Sequence, residues 1–415
     1  MKYYSVFFAL PLLLLTDAPA LASVGWPGAV LLVLALLFGG ARKGLSQIYI
    51  NSYRFFTAAG GFPAWDKDPY DTSDIRITLD EINLLSSSQT KTITTFGSPG
   101  TGTLKYFGGV LATNGKIYAV PVDAQNILRI DPDSNTVSTF GAPGTGTIKY
   151  SGGVLAPNGK IYCIPWFATN VLVINPSNNT LSTFGTIGTA TAQKYQGGVL
   201  APNGKIYAFP AVITHSYILQ IDPSNDAIST FGTFTDASFS GAVIGKNGKV
   251  YAIPNNSSYV LELDPSNNTI STFGNVAGSN KYTGGVLAPN GKIYAIPFQA
   301  ANILEINTVN NAISISTFGT FTTYTYNYAG GVLAPNGKIY CMPADAQNIL
   351  EIDPTNNTVS TFGAPGTVSL KYQGGVLAPN GKIYGIPRAA QSIIEILTTF
   401  TVDDDFPLSR LFNKY

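Results

Sequence analysis

The sequence predicts an all-β chain folded as a seven-bladed propeller, preceded by an apolar N-terminal segment. Three observations carry this. A segment close to GGVLAPNGKIYAIP recurs from Gly108, Gly152, Gly197, Ser240, Gly284, Gly330 and Gly374, at intervals of 43 to 46 residues, a spacing at which each unit is one propeller blade. Each unit holds four short stretches with strand character separated by turn residues. Finally, the two ends of the array are incomplete in complementary ways.

The four strands can be read from the unit that starts at Gly284. Residues 284–288 form a first strand, Pro289-Asn290-Gly291 a hairpin turn and residues 292–297 a second strand, because Asn-Gly accepts the positive φ values of tight hairpins. Residues 302–307 alternate apolar with polar, an Asn-rich turn follows, and residues 312–318 form a fourth strand. The seventh unit stops after its third strand, residues 393–397, without the closing Ser-Thr-Phe-Gly. The sequence KTITTFG, residues 91–97, stands alone before the first complete unit. It is expected to pair with that third strand and close the ring, leaving no open seam. The glycine pairs fit seven innermost strands crowded about one axis, where only small residues let backbones approach.

The segments PNGKIYAIP (289–297) and NILEIDPTNNTVSTFG (348–363) resemble the repeats of the YVTN-type seven-bladed propellers, relatives of bacterial and archaeal periplasmic and surface-layer propellers. The resemblance covers residues 90–400. It implies the fold, and it is weak for function because such scaffolds host many activities. The sequence departs from that family in reading Tyr-Ala-Ile-Pro where the family has Tyr-Val-Thr-Asn.

Outside the array, residues 1–44 read as a targeting segment. Lys2, an apolar run over 6–15 and Ala20-Leu21-Ala22 have the order of a secretory signal with a cleavage site. A second apolar run, 24–41, precedes Arg42 and Lys43, and at about 1.5 Å per residue it barely spans a bilayer core of about 30 Å. A cleaved signal would export the propeller, whereas a helical hairpin with its basic flank inside would leave it facing the cytoplasm. The Ala-x-Ala site favours a membrane-associated or secreted, extracytoplasmic protein. Residues 45–89 form a connecting region without a clear period, containing Trp65-Asp66-Lys67-Asp68 and an amphipathic stretch over 75–85; residues 401–415 are a C-terminal tail.

Composition narrows the chemistry. The chain is 45% apolar and 11% charged, with 24 basic and 23 acidic side chains, so no overall field points to a nucleic-acid partner. Its 43 glycines and 26 prolines beside 23 tyrosines and 23 phenylalanines suit many short strands and tight turns. The single histidine, His215, and two cysteines, Cys163 and Cys341, exclude a multi-histidine metal or haem site, so no cofactor is expected. Asp131, Asp133 and Asn135 imitate the start of a calcium loop but lack its glycine and closing glutamate, and read as an Asp-Pro turn. Gly141, Gly144 and Gly146 precede no helix and read as loop glycines. Three of the four glycosylation sequons, at Asn178, Asn267 and Asn356, fall in the repeated turn and read as turn chemistry; the fourth begins at Asn256.

Two sets of lysines remain. Lys116, Lys160, Lys205, Lys249, Lys292, Lys338 and Lys382 open the second strands, beside Asp131, Asn175, Asp222, Asp264, Asn307 or Asp353 at the ends of the third, and read as cross-strand pairs. Lys105, Lys149, Lys194, Lys281 and Lys371 each precede a tyrosine at the start of an innermost strand, and no repeated acid answers them. They are expected at the channel mouth, opposite the tight turns, with the loops between second and third strands. Those loops vary where the rest repeats, and they supply Trp166, Phe167, His215, Phe298, Gln299 and Arg388. Aromatic residues and arginine on loops of a rigid scaffold suit recognition. The reading is a non-enzymatic binding or surface-interaction propeller whose partner is a protein, a glycan or a small anionic ligand, with the N-terminal segment meeting the membrane. The alternatives are a lyase or hydrolase acting on a small anion at the mouth, with His215 or a tyrosine as base, and a structural surface-layer subunit.

Overall fold

The computed structural model describes residues 91–398, apart from 213, 237, 310–312 and 321–323, together with the backbone of four short strands nearer the N-terminus. The targeting segment and the C-terminal tail lie outside the described residues. Among those described, no helix is long and apolar enough to cross a membrane. The chain divides into two units, Thr90–Thr399 and a second made of Met1–Gln89 with Phe400–Tyr415. In the second unit Gln47–Ile50 pairs antiparallel with Ile75–Thr78, and Tyr53–Thr57 pairs antiparallel with Pro63–Lys67. The region that shows no period in sequence therefore contains two strand pairs.

The larger unit is the seven-bladed propeller. Blade 1 consists of Tyr106–Leu111, Ile117–Pro121, Ile127–Asp131 and Thr136–Phe140, hydrogen-bonded in that order. Five further blades repeat it. In blade 7 the outermost strand is Thr92–Phe96, paired antiparallel with Ile393–Leu397. Phe96 lies edge-on to Tyr384 at 5.9 Å and 86°, as Phe140 does to Tyr118 at 5.9 Å and 86° in blade 1. The N-terminal strand thus takes the place of the missing fourth strand and closes the ring.

Strand alternation becomes blade packing because both faces of a second strand meet a neighbour. Ile117–Pro121 is buried at every position. Seven apolar clusters result, each shared by two adjacent blades; one joins Val110, Tyr118 and Val120 of blade 1 to Ile161, Leu172 and Ile174 of blade 2. Each such side chain contributes about 1.5–3 kcal/mol when buried.

The axis is a ring of glycines. A Cβ on Gly330 would sit 2.9 Å from the Gly374 Cα, one on Gly374 3.3 Å from the Gly108 Cα, and so on around all seven blades, with φ between 69 and 79°. The positive φ comes from a bulge: Tyr106 faces Pro121 and Gly109 faces Ala119, so Phe107 and Gly108 share one partner position. The ring also corrects the repeat's start in blade 4, where the equivalent glycine is Gly241 rather than Ser240. Ala242 there replaces the second glycine and hides the register.

On the tight-turn side adjacent blades are locked by side chains. The Asn114 amide donates to the Tyr118 hydroxyl and to the Pro176 carbonyl of blade 2, both at 3.0 Å, and the Tyr118 hydroxyl donates to Asn179 Oδ1 at 3.1 Å. Asn158, Asn203, Asn290 and Asn380 repeat this toward Pro223, Pro265, Pro354 and Pro132. Blade 7 has no Asp-Pro turn to offer blade 6. There Lys91, at the entrance to the closing strand, pairs with Glu351 at 2.6 Å and lies 5.2 Å over the Phe362 ring.

The second-strand lysines are paired across the hairpin, in part with a different acid from the one expected. Lys116 meets Asp131 at 2.5 Å, but Lys249, Lys292 and Lys382 meet Glu262, Glu305 and Glu395 at 2.6, 2.8 and 3.0 Å. Asp131 also accepts from the Asp133 N–H at 3.1 Å, and Asn178, Asn267 and Asn356 accept from the N–H two residues on. These are the turns the sequence suggested.

Candidate functional site

The channel mouth is built on a belt of hydrogen bonds that runs around the axis and closes on itself. The Lys105 N–H donates to the Arg388 carbonyl, Arg388 to Lys371, Lys371 to Ala344, Ala344 to Asn327, Asn327 to Phe298, Phe298 to Lys281, Lys281 to Asn255 and Asn255 to Ser238. The Ser238 hydroxyl then donates to Ala211 at 2.8 Å. Ala211 donates to Lys194, Lys194 to Trp166, Trp166 to Lys149, Lys149 to Val122, and Val122 back to Lys105. The belt alternates the residue before each innermost strand with the residue after each second strand. All its links but one are between main-chain atoms, so side chains at the belt vary without cost to it.

The five lysines expected to form an open cationic ring are buried in this belt, at 5% exposure or less. Lys105 Nζ donates to the Gly102 and Ala390 carbonyls at 2.7 and 2.9 Å, and Lys281 Nζ to the Ser257 and Gly278 carbonyls at 2.9 and 2.8 Å. Lys149 reaches Gly146 and Lys194 reaches Phe167 at 2.8 and 2.9 Å. Lys105, Lys149, Lys194 and Lys281 each clamp the loop that enters the blade, three of them also to the preceding blade's loop, whereas Lys371 Nζ is buried without a hydrogen-bond partner. Burial lowers the basicity of all five, that of Lys105 to about 8. In blade 6 Asn327 takes over, its amide donating to the Ala300 carbonyl at 3.0 Å. The expectation of solvent-facing ammonium groups is corrected: a four-carbon stem suits burial when carbonyls wait at its end. The neighbouring tyrosines turn between blades, Tyr106 bonding Asn126 and Tyr150 bonding Asn170, both at 2.7 Å.

Two loop carboxylates are structural as well. Asp123 Oδ1 accepts from the Ile148 N–H at 2.6 Å and Asp345 Oδ1 from the Leu370 N–H at 2.9 Å. Ile148 and Leu370 have φ of 52 and 50°, a costly region for such side chains. Asn256 supports Asn280, at φ 47°, in the same way.

What remains distinctive lies over the axis. The residues between the innermost-strand aromatic and the glycine ring are Phe107, Ser151, Gln196, Ser240, Thr283, Ala329 and Gln373. Ser240 and Thr283, from adjacent blades, meet at 2.8 Å between their hydroxyls. Trp166 reaches onto this layer, edge-on to Phe107 at 5.5 Å and 70°. Arg388 reaches it from blade 7, its Nη1 donating to Gln373 Oε1 at 3.0 Å. Burial pulls the Arg388 pKa down, with Tyr326, Asp345 and Asp123 close enough to oppose it. Blades 7, 1 and 2 are consecutive in the closed ring, so Arg388, Gln373, Phe107, Trp166 and Ser151 form one neighbourhood.

The other expected residues are dispersed. Phe298 stacks on Tyr326 at 4.7 Å and 22°. Gln299 lines a groove of 550 Å³ with Lys281, Tyr282, Asn302 and Ser316. Phe167 is half-buried and gives its carbonyl to Lys194. His215 packs edge-on to the buried Tyr195 at 4.7 Å, and burial, then the Lys194 charge, lowers its basicity. Phe107, Ser151, Gln373 and Tyr326 were not singled out from sequence. The signal for the first three was available: the position after the inner tyrosine varies between blades while its neighbours repeat.

No family model and no curated protein matches the chain. Solved propellers do. A streptogramin B lyase structure shares 13% identity over 74% of this chain and 98% of its own, with a TM-score of 0.63. A catalytically inactive histidine-to-alanine variant of virginiamycin B lyase from Staphylococcus aureus, with quinupristin, shares 13% over 75% and 100%, also at 0.63. The extracellular domain of a one-component system protein of B. thetaiotaomicron shares 11% over 76% of this chain and 44% of its own, at 0.55. At such identities the likeness is one of fold, a propeller found in both lyases and sensor extracellular domains.

Proposed function

We propose that this protein is a binding propeller that recognises a partner through the channel mouth, and that its apolar N-terminus holds it at a membrane or exports it. The observation that carries the first part is the asymmetry of the mouth: on a scaffold repeated seven times, Arg388, Trp166 and Phe107 converge over the axis in blades 7, 1 and 2. A rigid rim with one forked cation and adjacent aromatic rings has the composition of a recognition hot spot. The second part rests on the apolar runs of residues 1–44. Among propellers, the repeats read as nearest the YVTN type.

Catalysis is the weaker reading. A lyase or hydrolase would use His215 or a tyrosine as its base; the His215 ring is packed against Tyr195 beside Lys194 rather than joined to the Arg388 and Trp166 cluster, and burial raises the pKa of the mouth tyrosines Tyr106, Tyr150, Tyr195 and Tyr282. The test is a ligand screen on purified full-length protein, read by melting temperature and repeated on Trp166→Ala with Phe298→Ala and on Lys160→Ala with Lys292→Ala. The reading expects hits that the first pair weakens and the second leaves alone. Hits lost only with the tight-turn lysines place the site on the other face and defeat it. Membrane or extracytoplasmic recovery of the native protein tests the targeting proposal, which fails if the protein is entirely cytosolic.

A further inference from the structure

Four polar atoms at the mouth end of blades 7, 1 and 2 are shielded from solvent and have no hydrogen-bond partner in the protein: Ser151 Oγ, Trp166 Nε1, Arg388 Nε and Lys371 Nζ. Ser151 is fully buried. Three of the four can only donate a hydrogen bond and the fourth, the Ser151 hydroxyl, can donate one. Burying a donor without a partner is costly, and four of them in one neighbourhood mark a place arranged for an acceptor. The local charge selects among acceptors. Asp123 lies within electrostatic reach of Lys149, Asp345 of Lys371, and both of Arg388. Against these two carboxylates stand Arg388, Lys105, Lys149 and Lys371, so positive charge is in excess at this part of the mouth, and Arg388 is its forked carrier, with Nη1 already given to Gln373. A single planar anion matches a guanidinium edge. The apolar wall beside it is Phe107 with Trp166, crossing at 70°, which suits a flat body lying next to the charge.

We infer that the mouth over blades 7, 1 and 2 binds a monocarboxylate carried on a flat apolar or aromatic body, its carboxylate held by Arg388 and Ser151 and its body against Phe107 and Trp166. This rests on the reading of the mouth as the recognition face. The donors fix the acid end, and the Trp166 indole N–H reports on it.

Full-length protein titrated with phenylacetate, its neutral amide phenylacetamide and inorganic phosphate separates the possibilities. Phenylacetate is expected to bind and to move the indole N–H resonance of Trp166 in the wild-type protein, where no variant can confuse folding with binding. Phenylacetamide should bind about ten-fold or more weakly, and Arg388→Gln should cost phenylacetate a similar factor, with Arg388→Lys in between because it keeps charge without the fork. Equal affinity for acid and amide, or an undisturbed Trp166 resonance at saturation, overturns the inference. So does phosphate binding more tightly than phenylacetate through Arg388. In any of these cases, neutral ligands still weakened by Trp166→Ala would leave the recognition face standing. If no compound of any class responds to changes at the mouth, the wider reading fails too.

Discussion

The two ends of the propeller are held together by different parts of the chain. At the tight turns, blades are joined by side chains, Asn114, Tyr118 and their equivalents reaching a carbonyl next door, so those residues repeat. At the mouth, buried lysines and a few loop side chains also cross between blades, but the residue after each second strand joins the belt through its main chain, so valine, tryptophan, alanine, asparagine, phenylalanine and arginine all occupy equivalent positions. Variation at the mouth is therefore permitted by the architecture before any ligand is considered. Function is indicated by a narrower sign, a variable side chain that brings a buried polar group and leaves it unpartnered, as Trp166 and Arg388 do.

Both ends presuppose a closed ring, and the severest test of the comparison removes the closure. A chain starting at Thr101 lacks Thr92–Phe96 and should aggregate or melt without cooperativity, whereas one starting at Ser86 should melt as the full protein does. Equal melting temperatures would show that neither set of inter-blade bonds depends on the seam. Next in size is the axis. Gly330 and Gly115 have similar φ, 79 and 76°, but a Cβ meets backbone at 2.9 Å in the first and nothing within 4 Å in the second. Denaturant titration should find Gly330→Ala costing about 1–3 kcal/mol more than Gly115→Ala, and equal costs would mean that crowding plays no part.

A smaller effect separates the two ends directly. Tyr384→Phe removes the hydroxyl that bridges blade 7 to Pro132 and Asn135 of blade 1 and should cost about 1–2 kcal/mol. Gln299→Ala, at the mouth, should stay within about 0.5 kcal/mol; a reversed order would refute the division between side-chain locks and a backbone belt. The smallest effect is a change of pH dependence. Glu351 is buried yet its pKa lies below the usual 4.5, because hydrogen bonds from Lys338, Lys91 and Tyr340 outweigh desolvation. A depressed carboxylate adds stability at neutral pH that is lost as pH falls below about 4.5 toward the folded value. Lys91→Met should therefore lower the melting temperature near pH 7 and leave it nearly unchanged near pH 3. A constant difference across that range would remove Lys91 from the seam.

The fold was legible because its determinants are local. Asn-Gly turns, strand alternation and the stray KTITTFG are each a few residues long, and together they define blades and closure. Blade 4 slipped by one residue because Ala242 stands where a second glycine marks the other blades. The paired strands within residues 47–78 carry no repeat to betray them. At the site, Trp166 and Arg388 stood out as loop residues, but the lysine ring misled, since sequence cannot say whether an ammonium ends in water or among carbonyls. Glu262, Glu305, Glu351 and Glu395 did not stand out as partners, yet all are buried at 6% exposure or less under their lysines.

The closed belt also makes the mouth an addressable rim. Because Trp166, Asn255, Phe298 and Arg388 engage it through their main chains and are only partly buried, unlike the buried Val122, Ala211 and Ala344 at the equivalent positions, their side chains can be exchanged singly or in combination without redrawing the frame that presents them. Substitutions at these four places should accumulate nearly additively in stability while changing what the rim holds, a property that lets one scaffold acquire new ligands by a few codon changes and lets an engineer do the same on purpose.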